Sequence, residues 1–159
     1  MVLITENTGG NMKIPKIIAL DIDGTLFDSK GKISQRTLKA IHACTQAGIN
    51  VVFSTGRDYD SLPLAETEGS GMQYAVTTNG SAIYELGSRK CLWENPMDCK
   101  DTFDILNYSE NDLDILRAAG TGIAMGNAPT DIKRYADEVT LSNDEDGVAV
   151  VLDRILSLI

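Results

Sequence analysis

Three short apolar runs alternating with helical stretches predict an α/β fold built on a doubly wound parallel sheet. The runs are Ile17-Ile18-Ala19-Leu20, Ile49-Asn50-Val51-Val52-Phe53 and Tyr74-Ala75-Val76, as strands buried on both faces should be. Between the first two, Ser34 opens a helix with Leu38, Ile41 and Thr45 at helical spacing and Gly48 just past its end. Arg57 to Glu68 reads as a weaker helix interrupted by Pro63. Strands joined through helices pair in parallel by right-handed crossovers.

After Thr78 the pattern changes. Ala82-Ile83-Tyr84-Glu85 and Lys90-Cys91-Leu92-Trp93 flank Leu86-Gly87-Ser88-Arg89, which predicts a small β-hairpin over about 82–93. Thr102 to Leu106 reads as a strand and Asn111 to Ala119 as a helix. Gly122-Ile123-Ala124-Met125 is a last core strand, Pro129 to Ala136 a short helix with proline near its first turn, and Glu138 to Leu141 an edge strand. The closing helix, from about Asp144 to Leu158, carries Val148, Val151, Leu152, Ile155 and Leu158 on one face. Residues 1–12 are polar and glycine-containing, so a flexible N-terminal arm is expected ahead of a single core domain over 13–159.

Composition narrows the function. Of 159 residues, 43% are hydrophobic and 23% charged, which suits a packed core and excludes wholesale disorder. Fourteen basic against twenty-three acidic side chains leave a net charge of −9. Such a surface repels phosphate backbones and anionic lipid, so neither nucleic acid nor membrane is an expected partner. A small anionic substrate would need a local cation. No apolar run approaches the roughly 18 residues of a membrane span. The stretch Met1 to Glu6 has no basic n-region, so the expected location is cytoplasmic. Cys44, Cys91 and Cys99 are odd in number and lack metal-ligand spacing, which reads as reduced thiols.

In open parallel sheets, ligands bind beyond the carboxyl ends of the strands. Three such ends carry polar, glycine-punctuated turns. In Asp21-Ile22-Asp23-Gly24-Thr25, two carboxylates leave one buried strand together. Like charges that close raise each other's pKa unless a cation sits between them, and oxygen ligands of this kind suit Mg²⁺. Ser54-Thr55-Gly56-Arg57 offers a hydroxyl and successive backbone N–H groups as a phosphate cradle, and serves equally as a helix cap. Thr78-Asn79-Gly80 is a turn whose side-chain amide would meet a polar ligand.

Together these motifs resemble the haloacid dehalogenase-like hydrolases, and within them the Cof-type sugar-phosphate phosphatases. Ser109-Glu110-Asn111-Asp112, Ala124-Met125-Gly126-Asn127-Ala128 and Asp144-Glu145-Asp146-Gly147-Val148 extend the resemblance from Lys16 to about Val150. It implies a Rossmann-like core and Mg²⁺-dependent hydrolysis of a phosphomonoester. Asp21 would be the nucleophile and Asp23 the acid and base. The metal ligands would be Asp21, Asp23 through its backbone carbonyl, and Asp112. Thr55, Gly56, Arg57, Asn79 and Asn111 are the phosphate-binding candidates, and a small phosphorylated metabolite is the implied substrate.

Two departures from the family pattern bear on activity. Where family members carry Gly-Asp ahead of the Ser-x-Asn-Asp run, this chain has Asn107 and Tyr108. Only twenty-two residues, 81 to 102, separate Gly80 from Phe103, enough for the hairpin but not for the family's cap domain. The helix that returns from the cap with a catalytic lysine is also missing. Lys90 and Lys100 are the nearest lysines, and Arg57 is the better compensating cation. The exposed sheet face left by that helix points to a homo-oligomer. The alternative reading is a catalytically degenerate protein acting as a binding or interaction module.

Overall fold

In the computed structural model, residues 1–4, 14–95 and 120–159 are described. Their strands are β1 (Val2–Ile4), β2 (Ile17–Leu20), β3 (Asn50–Ser54), β4 (Tyr74–Thr77), β5 (Ala82–Glu85), β6 (Lys90–Glu94), β7 (Thr121–Ala124) and β8 (Glu138–Val139). The helices are α1 (Gln35–Gln46), α2 (Thr130–Tyr135) and α3 (Gly147–Leu156). All eight strands share one sheet in the order β6-β5-β4-β3-β2-β1-β7-β8. β2, β3 and β4 pair in parallel, as do β7 and β8, while the β5–β6 hairpin folds back antiparallel onto β4. The α/β reading therefore holds, on a mixed sheet with a parallel centre.

Local chemistry explains most boundaries. Ser34 caps α1 by accepting from the Thr37 N–H at 3.1 Å, and Gly48 leaves the helix end at φ +84°. α1 buries Ala40, Ile41 and Cys44 and packs on α3, which buries Val148, Val151 and Leu152. The weaker helix expected over 57–68 reduces to a short turn, Tyr59–Ser61, capped by Asp58. Pro63 prevents its extension, having no N–H to give a helical ladder. α3 starts three residues later than its pattern suggests, because Asp146 takes a left-handed conformation at φ +59° and separates it from a tight turn at Asn143–Glu145.

The start of the chain departs from expectation. Val2–Ile4, read as part of a loose arm, forms β1 and lies antiparallel to both β2 and β7. Val2, Leu3 and Ile4 are all buried. Three consecutive apolar residues filling the space between two strands satisfy backbone groups on both sides, and that gain outweighs the ordering of so short a segment. The strand expected at Thr102 to Leu106 and the helix at Asn111 to Ala119 lie outside the described residues, as do residues 5–12 of the expected arm.

Candidate active site

Register brings the chemistry to one edge of the sheet. Leu20 pairs with Phe53 and with Val2, Val2 pairs with Ile123, and Ser54 pairs with Val76. Asp21, Thr55, Thr78 and Met125, each the first residue after its strand, therefore leave at the same end of the sheet, within two residues of one another in register. After β2 the chain makes a wide turn over Ile22–Leu26, in which Asp23 is extended and Gly24 sits at φ +67°. That conformation suits glycine because it lacks a Cβ. A cleft of about 160 Å³ opens here, lined by Asp21, Asp23, Thr25, Met125, Asn127 and Met1 among others.

Within the cleft Asp21 and Asp23 have different partners. Thr25 Oγ1 lies 3.5 Å from Asp21 Oδ2, and the Asp21 N–H donates to the Met1 carbonyl at 3.1 Å. Met1 N also donates to Thr25 Oγ1, so β1 reaches the mouth of the cleft. Asp23 is gripped by Arg57, whose Nε and Nη2 donate to its two carboxylate oxygens at 2.9 and 2.6 Å. The guanidinium is itself placed, 5.2 Å from the Phe27 ring centre and donating to the Ser61 carbonyl at 3.0 Å. The hydrogen bond from Arg57 holds the Asp23 carboxyl below its ordinary pKa of 3.8, against a smaller desolvation effect.

This pair yields a pH prediction. With the folded pKa below the unfolded one, the pair stabilises the fold above about pH 4, and that contribution fades as acid protonates Asp23. Arg57→Leu should therefore lower the thermal midpoint slightly at pH 7, with the gap to the parent closing as the pH falls below 3.8 and Asp23 is protonated; a constant gap would exclude the pair as its cause. Both groups are too exposed for a large effect, with Asp23 at 64%.

The cradle and the Asn79 turn interlock. Thr55 is buried, and its Oγ1 accepts from the Arg57 N–H at 3.1 Å. The Thr78 N–H donates to the Arg57 carbonyl and the Asn79 N–H to the Thr55 carbonyl, at 2.9 and 3.1 Å. Thr78 and Asn79 are both left-handed, at φ +51° and +52°. The Asn79 side chain lies over Gly56, where a Cβ would come within 3.0 Å of Asn79 Oδ1. Gly56 thus leaves room for the close approach of the Asn79 side chain from the neighbouring turn. Tyr59 ties the hairpin to this region, donating to the Leu86 carbonyl at 2.8 Å and packing on Tyr84 with ring centres 4.9 Å apart.

The structure brings together Asp21, Asp23, Thr55, Gly56, Arg57 and Asn79. Asn111 and Asp112 lie outside the described residues, as do Lys100, Asn107 and Tyr108. Lys90 is exposed on the edge strand β6, and His42 is on the surface, as expected. Burial pushes the Cys44 thiol up to about 11, an environment for packing and not for nucleophilic chemistry. Two residues at the site had no role assigned from sequence: Asn127, named only within the Ala124–Ala128 motif, and Asn143, not named at all. Asn127 Nδ2 donates to the Gly24 carbonyl at 2.8 Å, and the Asn143 Nδ2 donates to the Phe27 carbonyl at the same distance. Asn127 follows a glycine at the carboxyl end of a core strand, and that position together with its place in the Ala124–Ala128 motif was the available signal.

A metal would find part of a donor set here. Mg²⁺ takes one or two carboxylates with water and phosphate oxygens. Asp21 offers a carboxylate, whereas Arg57 occupies both carboxylate oxygens of Asp23 and leaves its main-chain carbonyl as the candidate donor. No group of three or more His, Cys, Asp or Glu suited to a metal occurs among the described residues. The residues present fit an ion shared with substrate and water, and not a closed protein cage.

Comparison with known proteins supplies the family. The chain is 58% identical over 98 residues to the phosphatase YwpJ of Bacillus subtilis (strain 168), covering 61% of this chain and 34% of that one. It is 56% identical over 54 residues to a putative phosphatase of Haemophilus influenzae, covering 33% of this chain and 21% of that one. The chain thus spans about a third or less of the length of these two curated relatives. A haloacid dehalogenase-like hydrolase from B. subtilis superposes with a TM-score of 0.74 at 20% identity, over 87% of this chain and 99% of that one. That structure shares the fold. Among the described residues no helix is long and apolar enough to cross a membrane. With residues 18–110 and 108–152 matching its family model, the chain belongs to the haloacid dehalogenase-like hydrolases.

Proposed function

We propose that this chain hydrolyses a small phosphomonoester, with Asp21 as nucleophile and Mg²⁺ as cofactor. The observation that carries this reading is the placement of two carboxylates from one strand end beside a cationic, hydroxyl-bearing loop from the next. An Asp21 oxygen attacks phosphorus, and the bond from phosphorus to the leaving oxygen breaks. Asp23 gives that oxygen a proton, then takes one from the water that attacks the aspartyl-phosphate and releases Asp21. Asp23 must be protonated for the first step, so Arg57 has to loosen its hold as the dianionic phosphate enters. The same guanidinium can then turn toward the phosphoryl oxygens, to which the Thr55 hydroxyl, accepting from the Arg57 N–H, can donate its proton. Asp21, the Asp23 carbonyl and Asp112 would hold Mg²⁺, whose charge offsets repulsion between carboxylate and phosphate when bound.

Asn79 and Asn111 complete the proposed set, Asn79 bracing the cradle through Gly56. Half-exposed Leu92 and Trp93 on β6 support the further proposal of self-association. A second reading, a phosphate binder without turnover, is favoured by the absence of lysine from the cleft lining among the described residues. Hydrolysis of p-nitrophenyl phosphate with Mg²⁺ and with EDTA separates the two. The expected result is turnover lost on chelation and restored by added Mg²⁺. A rate equal to the buffer blank in both, with phosphate still bound by calorimetry, establishes the second reading instead.

A further inference from the structure

We propose that Asn127 is a positioning residue for Asp23, acting through the Gly24 carbonyl. The inference rests on the acid–base role proposed for Asp23.

The turn that carries Asp23 is loosely held by its own backbone. Its main-chain bonds run from the Leu26 N–H to Asp21 and from the Phe27 N–H to Ile22, at 3.3 and 3.0 Å. Asp23 and Gly24 lie between those ties in non-helical conformations, at φ/ψ −77°/122° and 67°/9°. Asn127, 103 residues further along the chain, supplies the missing tie from outside at 2.8 Å. Its amide cannot be reversed without loss, because Oδ1 already accepts from the Asn143 N–H at 3.0 Å, which directs Nδ2 to Gly24. Asn143 is in turn anchored to the Phe27 carbonyl at 2.8 Å. Gly24, Asn127, Asn143 and Phe27 thus close a ring that begins and ends on the loop bearing Asp23. Arg57 grips the Asp23 side chain from the other side. When Arg57 releases that carboxyl toward a substrate, the Gly24 tie is what keeps the aspartate in place over the cleft.

An acid held out of position is felt most by the leaving group that needs it. A p-nitrophenolate leaves without a proton, whereas an alkoxide does not. A purely structural role for Asn127 would lower turnover of both esters alike. The test compares kcat/KM for p-nitrophenyl phosphate and for a simple alkyl phosphate, a ratio that reports the phosphoryl-transfer step. Asn127→Ala is expected to lower the alkyl value about 10- to 100-fold and the aryl value less than about threefold. Asn127→Asp keeps the acceptor for Asn143, loses the donor to Gly24, and should change the ratio in the same direction even if the alanine variant folds poorly. Gly87→Ala, on the distant hairpin where a Cβ meets nothing within 4 Å, leaves the whole ring in place and should not change the ratio. An unchanged ratio in both Asn127 variants overturns the proposal while the phosphatase reading stands. Failure of the unsubstituted protein to hydrolyse either ester overturns both.

Discussion

Asp21→Asn is expected to reduce Mg²⁺-dependent phosphatase turnover about a thousandfold or more, on the scale seen when an enzyme loses its nucleophile. A carboxamide oxygen is a weak nucleophile, and nothing else at this strand end can take its place. Asp23 is half an ion pair with Arg57, and Thr25 is buried. The substitution is nearly isosteric and keeps the main-chain N–H that pairs with Met1 at 3.1 Å, so the circular dichroism spectrum should not change. It also removes one negative charge from the cleft. Inorganic phosphate should therefore bind the variant at least as tightly as the parent, by calorimetry. Lost turnover with retained phosphate binding marks a nucleophile; weakened binding with partial turnover would place Asp21 in ligand recognition instead.

Gly147→Ala is the substitution expected to cost most stability, about 3 kcal/mol, from forced overpacking against a backbone that cannot yield. A Cβ there would lie 2.1 Å from the Leu141 carbonyl oxygen and 2.8 Å from its carbon, with Met125 Cε at 2.9 Å. The neighbouring chain is held in place by the Gly147 N–H donating to Ser142 at 3.0 Å and by Thr140 Oγ1 donating to Gly147 at 2.9 Å. For a chain of this size the thermal midpoint should fall by about 10 °C. Gly87→Ala, where a Cβ meets nothing within 4 Å, is the control and should leave the midpoint within a degree or two. Equal melting of the two variants would show that the 140–147 segment moves freely. That segment carries Asn143, so its displacement also loosens the tie to Asn127.

The element types were legible because their causes are local. Ser34 and Gly48 bound α1 by cap chemistry, and the short, mostly apolar runs at 17–20 and 49–53 mark buried strands whatever lies next to them. The hairpin was visible from two alternating segments around a four-residue turn. Asp21, Asp23, Thr55 and Arg57 were legible as a group because parallel strands of matched length deliver their carboxyl ends to one edge. β1 was not, since three apolar residues at the head of a polar stretch carry no periodicity, and only a vacant place between β2 and β7 makes them a strand. The 57–68 region was overread as helical, because Asp58 and Pro63 favour turns more strongly than the intervening residues favour a helix.

What the sequence by itself determined is the order of strands and turns, and hence which acids, hydroxyls and amides share one edge. Only the tertiary structure decided how those groups are paired: Arg57 on both oxygens of Asp23, Asn127 on the Gly24 carbonyl, and Met1 beside Thr25. The division has a physical reason. Caps, turns and buried strands are set by interactions over a few residues, and these leave a pattern in the chain. A hydrogen bond between residues 103 positions apart leaves none, because its geometry exists only after the sheet has brought the two strand ends together.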